Sequence, residues 1–354
     1  MFTPSSASAT KFVIFFQKDI PPPVFLLFSG GWTAPIYFAM RRLCLDTKAP
    51  PCFLMQSNYA KAPPVPKSRA TLFILLGAIG MSLAALFVRL VEQADGFQIL
   101  TYRSATLAAM VALMACMRRR IGPLRFLQSL DGKDLVLGAI LSLAFTTYIF
   151  ALLNTSVASA LFILAASPLF ATLLAWGWLG ERPRPLVCGI ILLAVLGIAL
   201  MAGEGIALGQ TLGNLFALSS AAFFALMLVT ARAGGKEDVL GGTFLGGILS
   251  CLLAAACAVL IGDGLTVSIR DLLICAVMGA FTIGIGIGLV TWGAPYAPAS
   301  EVSLLVLLES VLSPLWVWGF LGEAMTAREI LGGAIVMSAV AILACLSARA
   351  EITS

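Results

Sequence analysis

The chain has 354 residues, of which 60% are hydrophobic and only 11% charged, and its mean hydropathy is +1.02. No soluble globular surface can be built from that mixture, so composition alone indicates a polytopic membrane protein. The net charge of +5 would suggest nucleic acid in a soluble protein, but here the basic residues sit in short connections and report orientation; the absence of histidine excludes His-based nucleophilic, general-base and metal-ligand chemistry.

Residues 1–69 form an N-terminal extension. Its apolar patches at 12–16 and 24–28 are too short to span and are interrupted by Lys18, Asp19, Pro21, Pro23, Gly30 and Gly31. The expectation is disorder or surface attachment, and Met55 is an alternative start, because 55–69, with Lys61, Lys67 and Arg69, reads as a short cytoplasmic leader. No clean secretory signal is present.

A bilayer core of about 30 Å needs about 20 helical residues. That ruler divides the rest into ten spans, 70–91, 97–117, 134–153, 157–179, 185–202, 211–231, 239–261, 271–292, 299–321 and 328–347, with a cytoplasmic tail at 348–354. Backbone polar groups in hydrocarbon are satisfied only if such spans are helical. The connections are too short for an extramembrane catalytic domain.

Trp176-Gly177-Trp178-Leu179-Gly180-Glu181 closes the fourth span and returns as Trp318-Gly319-Phe320-Leu321-Gly322-Glu323 at the end of the ninth. Five spans separate the copies, so the second enters the membrane from the opposite side. The chain therefore reads as an all-α membrane protein of two inverted five-helix repeats, 70–202 and 211–347, around a shared site near the midplane. With the N-terminus inside, Arg118, Arg119, Arg120, Lys133, Arg182, Arg232, Lys236 and Arg349 fall on the cytoplasmic side and only Arg89, Arg270 and Arg328 on the other. Both termini are expected in the cytoplasm of an inner-membrane protein.

Glu309 is the one acidic residue deep inside a span, about 15 Å along the ninth at 1.5 Å per residue. A carboxylate at that depth is costly. It points either to proton coupling or substrate binding, or to a structural hydrogen bond with a neighbouring helix. Glu301 and Arg89 read as interface residues. Arg103, roughly 9 Å from the outer end of its span, either snorkels, locks two helices, or acts as counter-ion to a substrate carboxylate. Pro168 and Pro314 each remove a mid-span hydrogen bond, as happens beside transporter cavities. Counting back from the two Gly-Glu pairs, Ser167 aligns with Glu309, so the acid has no partner in the first half. Tyr148, Trp292 and Tyr296 offer a ring and a donor to a ligand or sit in the interfacial belt, as Trp176 and Trp318 do. Gly284 and Gly288, like Gly242 and Gly246, have the spacing of close helix packing and not of a nucleotide loop. The eight cysteines are scattered without a CxxC pair, suggesting neither zinc nor a disulfide framework, and no cofactor is expected.

With its ten spans, its two Leu-Gly-Glu endings at 179–181 and 321–323, Arg103 in the second span and Leu308-Glu309-Ser310 in the ninth, the chain resembles the drug/metabolite transporter superfamily, in particular its EamA-type ten-helix members. The resemblance covers 70–347. It implies two inverted bundles around a cavity formed mainly by helices 1, 3, 4, 6, 8 and 9, with 5 and 10 peripheral. Ser167 stands where that family often has an acid. The resulting expectation is a non-enzymatic carrier exporting a small polar or amphipathic metabolite, an amino acid or amine-like compound, with Glu309, Arg103, Tyr148, Ser167 and Trp292 at the cavity and Met81 and Phe223 as apolar walls. Glu181 and Glu323 are expected to cap their own helices. Alternatives are uptake of a nucleoside-like metabolite such as S-adenosylmethionine, or a non-transporting sensor. The expected partners are the small-molecule substrate, the lipid bilayer and protons, with a homodimer admitted and nucleic acid excluded.

Overall fold

The computed structural model describes residues 67–180, 183, 185–236, 238–293 and 299–353. The N-terminal extension up to residue 66, Glu181, Tyr296 and the Glu301 side chain lie outside the described residues. Among the described residues every regular element is helical. Ten long helices succeed one another: α1 (Lys67–Ser82 with Ala84–Leu90), α2 (Gly96–Arg119), α3 (Gly132–Asn154), α4 (Val157–Ala165 with Ser167–Leu179) and α5 (Pro185–Ala207) in the first half. The second half has α6 (Thr211–Ala233), α7 (Leu240–Ile261), α8 (Ile269–Gly293), α9 (Ala299–Leu321) and α10 (Ala327–Thr353), which continues through the expected tail. Nine of them are long and apolar enough to cross a bilayer, and α9 carries an apolar stretch, Leu305–Leu321. The protein is a multi-pass membrane protein.

Short polar residues set where the helices begin. Asp95 and Asp131 each accept the backbone N–H three residues on, from Gln98 and Asp134, whose side chains reach back to complete capping boxes at α2 and α3. Ser156 and Ser268 cap α4 and α8 in the same way. The repeated Gly-Glu endings have a backbone cause: Gly180 (φ 71°) and Gly322 (φ 72°) close α4 and α9 in the left-handed region, where a Cβ would be strained. At the α2–α3 end, Lys236 Nζ lies 2.7 Å from both Asp131 and Asp134. The Lys236 ammonium beside Asp131 holds that carboxyl down at about 2, so this clasp stays charged at any physiological pH.

The two halves interlock. α3 packs on α6 as α1 packs on α8, α3 on α7 as α2 on α8, and α4 on α6 as α9 on α1. Exchanging the halves converts each contact into its partner, while α2–α7, α4–α9 and α5–α10 map onto themselves, which is two-fold pseudo-symmetry. Glycines make the approaches possible. A Cβ on Gly77 would stand 2.8 Å from the Gly286 carbonyl oxygen, and one on Gly197 the same distance from that of Gly332. Gly242 and Gly246 admit Leu137 and Leu141 of α3, while Gly284 and Gly288 admit Met110 and Met114 of α2.

α8 departs from the uninterrupted span expected from its apolar run. Ile269–Val277 passes into π-helical turns over Met278–Ile285 before α-helix resumes at Gly286. The widened turns lie where Gly279 meets the backbone of α2, and a Cβ on Gly279 would run into the Arg103 carbonyl oxygen. Helix α4 is likewise divided at Ala166, just before Pro168, whereas α9 stays continuous through Pro314.

These contacts differ in how easily they yield, because Gly279 faces backbone and Gly288 faces the flexible end of Met114. Gly279→Ala is expected to cost about 2 kcal/mol or more and to lower the monodisperse yield after detergent extraction, with Gly288→Ala milder. Thermal unfolding of both purified variants measures the difference; equal stabilities would show that α2 and α8 do not depend on this approach.

Candidate functional site

Helices of both halves leave a cavity of about 710 Å³ between them, within the range of small-molecule sites. Five of the residues expected at the site line it together: Met81 on α1, Arg103 on α2, Tyr148 on α3, Ser167 on α4 and Glu309 on α9. The other two lie outside the lining, which corrects that expectation. Phe224 lines the cavity where Phe223 was expected, and Thr291 where Trp292 was expected. One position along a helix is about 100° of rotation, so a neighbour can share depth and miss the face. The Trp292 Nε1 is buried without a hydrogen-bond partner among the described residues.

Arg103 is 1% exposed, and its Nε and Nη1 have no hydrogen-bond partner among the described residues. It therefore does not snorkel. Its guanidinium lies over the rings of Phe145, at 5.2 Å, and Tyr148, at 5.7 Å. Phe145 was missed in the sequence, although it stands three residues before Tyr148 and so shares its face of α3. Glu309 is partly buried and makes no hydrogen bond or ion pair with any described residue. Tyr148, under the Arg103 guanidinium, and Glu309 line the same cavity. Ser310, Thr291 and Thr243 add hydroxyls to an otherwise largely apolar wall, and Arg232, which has an interaction of its own, lines it at the end of α6.

The lining reaches the end of the bundle where α6 meets α7 and leaves the other end untouched. At that other end the charged groups are paired or capped. Arg89, at the end of α1, donates from Nε to Glu323 at 2.9 Å and from Nη2 to the Thr155 carbonyl at 2.8 Å. Glu323 also accepts the Val157 N–H at 3.0 Å. It thus caps α4 in the other half, correcting the expectation that it caps its own helix, and Arg89 is more than an interface residue. Glu329 accepts hydroxyls from Ser156 and Ser159, and Asp271 accepts the backbone N–H groups of Glu92, Gln93 and Ala94. The signal in the sequence was shared depth: Arg89 and Glu323 both fall at span ends that the topology puts on one side.

This arrangement can admit a small solute from one end and hold it at the closed end beside Arg103. If the Arg89–Glu323 pair ties the halves together, Arg89→Met and Glu323→Gln will be non-additive by about 1 kcal/mol in a double-mutant thermal-unfolding cycle. Additive losses would mean that the pair carries no closure.

The sequence profile of the EamA-like transporter family matches twice, over residues 68–203 and 211–345. A curated protein of Streptantibioticus cattleyicolor, described as a "Probable terminal-alkyne amino-acid exporter", is 36% identical over 85 residues, which is 24% of this chain and 29% of that protein. The match thus spans under a third of the exporter's length. A crystal structure superposes with a TM-score of 0.57 at 22% identity, covering 81% of this chain and 99% of that one, which shows the shared fold.

Proposed function

Because the chain belongs to the EamA-like transporter family, and is on that ground a membrane transporter, we propose that it exports a small polar or amphipathic metabolite, an amino acid or amine-like compound, by alternating access. The observation that carries this reading is the cavity between the repeats, closed at the Arg89–Glu323 end, with Arg103 and Glu309 set unpaired in a largely apolar wall. The amino-acid exporter named above supports the cargo class over its matched stretch.

Charge supplies the direction. In this reading the excess of basic residues in the connections on one side supports cytoplasmic termini in an inner-membrane protein, and with them a cytoplasmic α6–α7 end, the end that the cavity reaches. The state described then takes solute from inside, as an exporter must. Topology reporters after Arg120 and after Ser354 should behave as cytoplasmic and one after Gly205 as periplasmic; a periplasmic signal at the C-terminus would reject both the orientation and the even number of spans.

Glu309 is the coupling group in this reading. A carboxyl that alternates between protonated and ionised forms at the cavity wall can exchange a proton for cargo. Glu309→Gln keeps the shape and cannot ionise, so this variant should insert normally and still exchange cargo for cargo, yet lose pH-driven accumulation in vesicles by at least tenfold. Full pH-driven transport in the Gln variant would remove Glu309 from the mechanism. Loss of folded protein in Glu309→Leu with normal transport in Glu309→Gln would leave it a packing role.

A further inference from the structure

Arg103 presents a charge that the fold does not balance. Its Nε and Nη1 are enclosed without a hydrogen-bond partner, and no described residue forms an ion pair with it. The rings of Phe145 and Tyr148 offset part of this cost, well short of what an enclosed cation loses in leaving water. The side chain cannot escape to the headgroups, since it is 1% exposed and its own backbone is pinned. Gly279 of α8 is pressed against the Arg103 carbonyl, to which the Thr106 hydroxyl also donates at 3.0 Å. The group is thus held rigidly on the wall of a cavity large enough for a metabolite.

We propose that Arg103 is a carboxylate receptor: the cargo binds with a single carboxylate on the guanidinium and its apolar part along the cavity wall. This rests on the transporter reading and narrows it, because it selects amino acids and other monocarboxylic acids over amines. One uncompensated guanidinium matches one negative charge. Arg232, the other described cation on the wall, already has an interaction, so a phosphate dianion would lack a second partner. Planar, two-pronged donors suit the two charged oxygens of a carboxylate, whereas an amide offers them one neutral carbonyl oxygen and an ammonium no acceptor at all. Glu309, also on the wall, disfavours a second anionic group there and tolerates an ammonium.

The test uses proteoliposomes of the full chain loaded with a bacterial small-molecule extract spiked with L-leucine, L-leucinamide and isopentylamine, and reads by mass spectrometry what leaves only when the protein is present. Expected is loss of leucine and other monocarboxylates with retention of the amide and the amine. Arg103→Gln should slow that loss about 10- to 100-fold, with Arg103→Lys intermediate. It should do so without lowering the melting temperature of the ligand-free protein, because an unbalanced buried charge has been removed. Equal or preferential export of the amide or the amine would overturn the carboxylate assignment and leave the transporter reading intact. Undiminished leucine flux in a folded Arg103→Gln variant would overturn it as well, and a sharply lowered melting temperature would make Arg103 a structural cation instead. If no compound leaves, the transporter reading itself fails and this proposal with it.

Discussion

In hydrocarbon, helices gain nothing from hiding apolar side chains from water, so the two halves of this protein depend on how closely their backbones can approach. Gly77 against Gly286, Gly197 against Gly332 and Gly279 against Arg103 bring main chain onto main chain with no side chain between. Contacts of that kind cannot slide gradually, because carbonyls are met head-on. What they leave open is therefore fixed in place. The cavity is the space that remains between them, lined by α1, α3, α4, α6, α8 and α9 and also by α2, α7 and α10, so that α10 is not peripheral as expected.

Polar groups are distributed in two contrasting ways. At the Arg89 end the carboxylates have their partners: Glu323 has a guanidinium and a backbone N–H, Asp271 three backbone N–H groups, and Glu329 two hydroxyls and the Thr326 N–H. Along the cavity the pattern inverts, since Arg103 and Glu309 have none among the described residues. Satisfied networks hold a structure together, whereas an unsatisfied buried charge is costly to the fold. The fold thus separates an end of paired charges from a cavity wall whose charges are left without partners.

The π-helical turns of α8 belong to the same logic. A regular α-helix would carry Gly279 past α2 at a fixed pitch, whereas the wider turns let its backbone settle against Arg103 while Ile283 and Ile287 still reach the cavity. The widened turns of α8 serve two neighbours at once. Here those neighbours are α1 and α2, both in the other half.

The sequence by itself determined the membrane class, the ten helices and the inverted repeat, because each follows from apolar length and a repeated Gly-Glu ending. It was enough to bring Arg103, Tyr148, Ser167, Met81 and Glu309 to one region. It could not decide which way a helix is turned, and so it named Phe223 and Trp292 where Phe224 and Thr291 face the cavity. Nor could it pair Arg89 with Glu323, which are 234 residues apart, or tell an enclosed Arg103 from a snorkelling one. Helix rotation, cross-half partners and burial are properties of packing, and packing is set by the surfaces that meet, which no single stretch of chain contains.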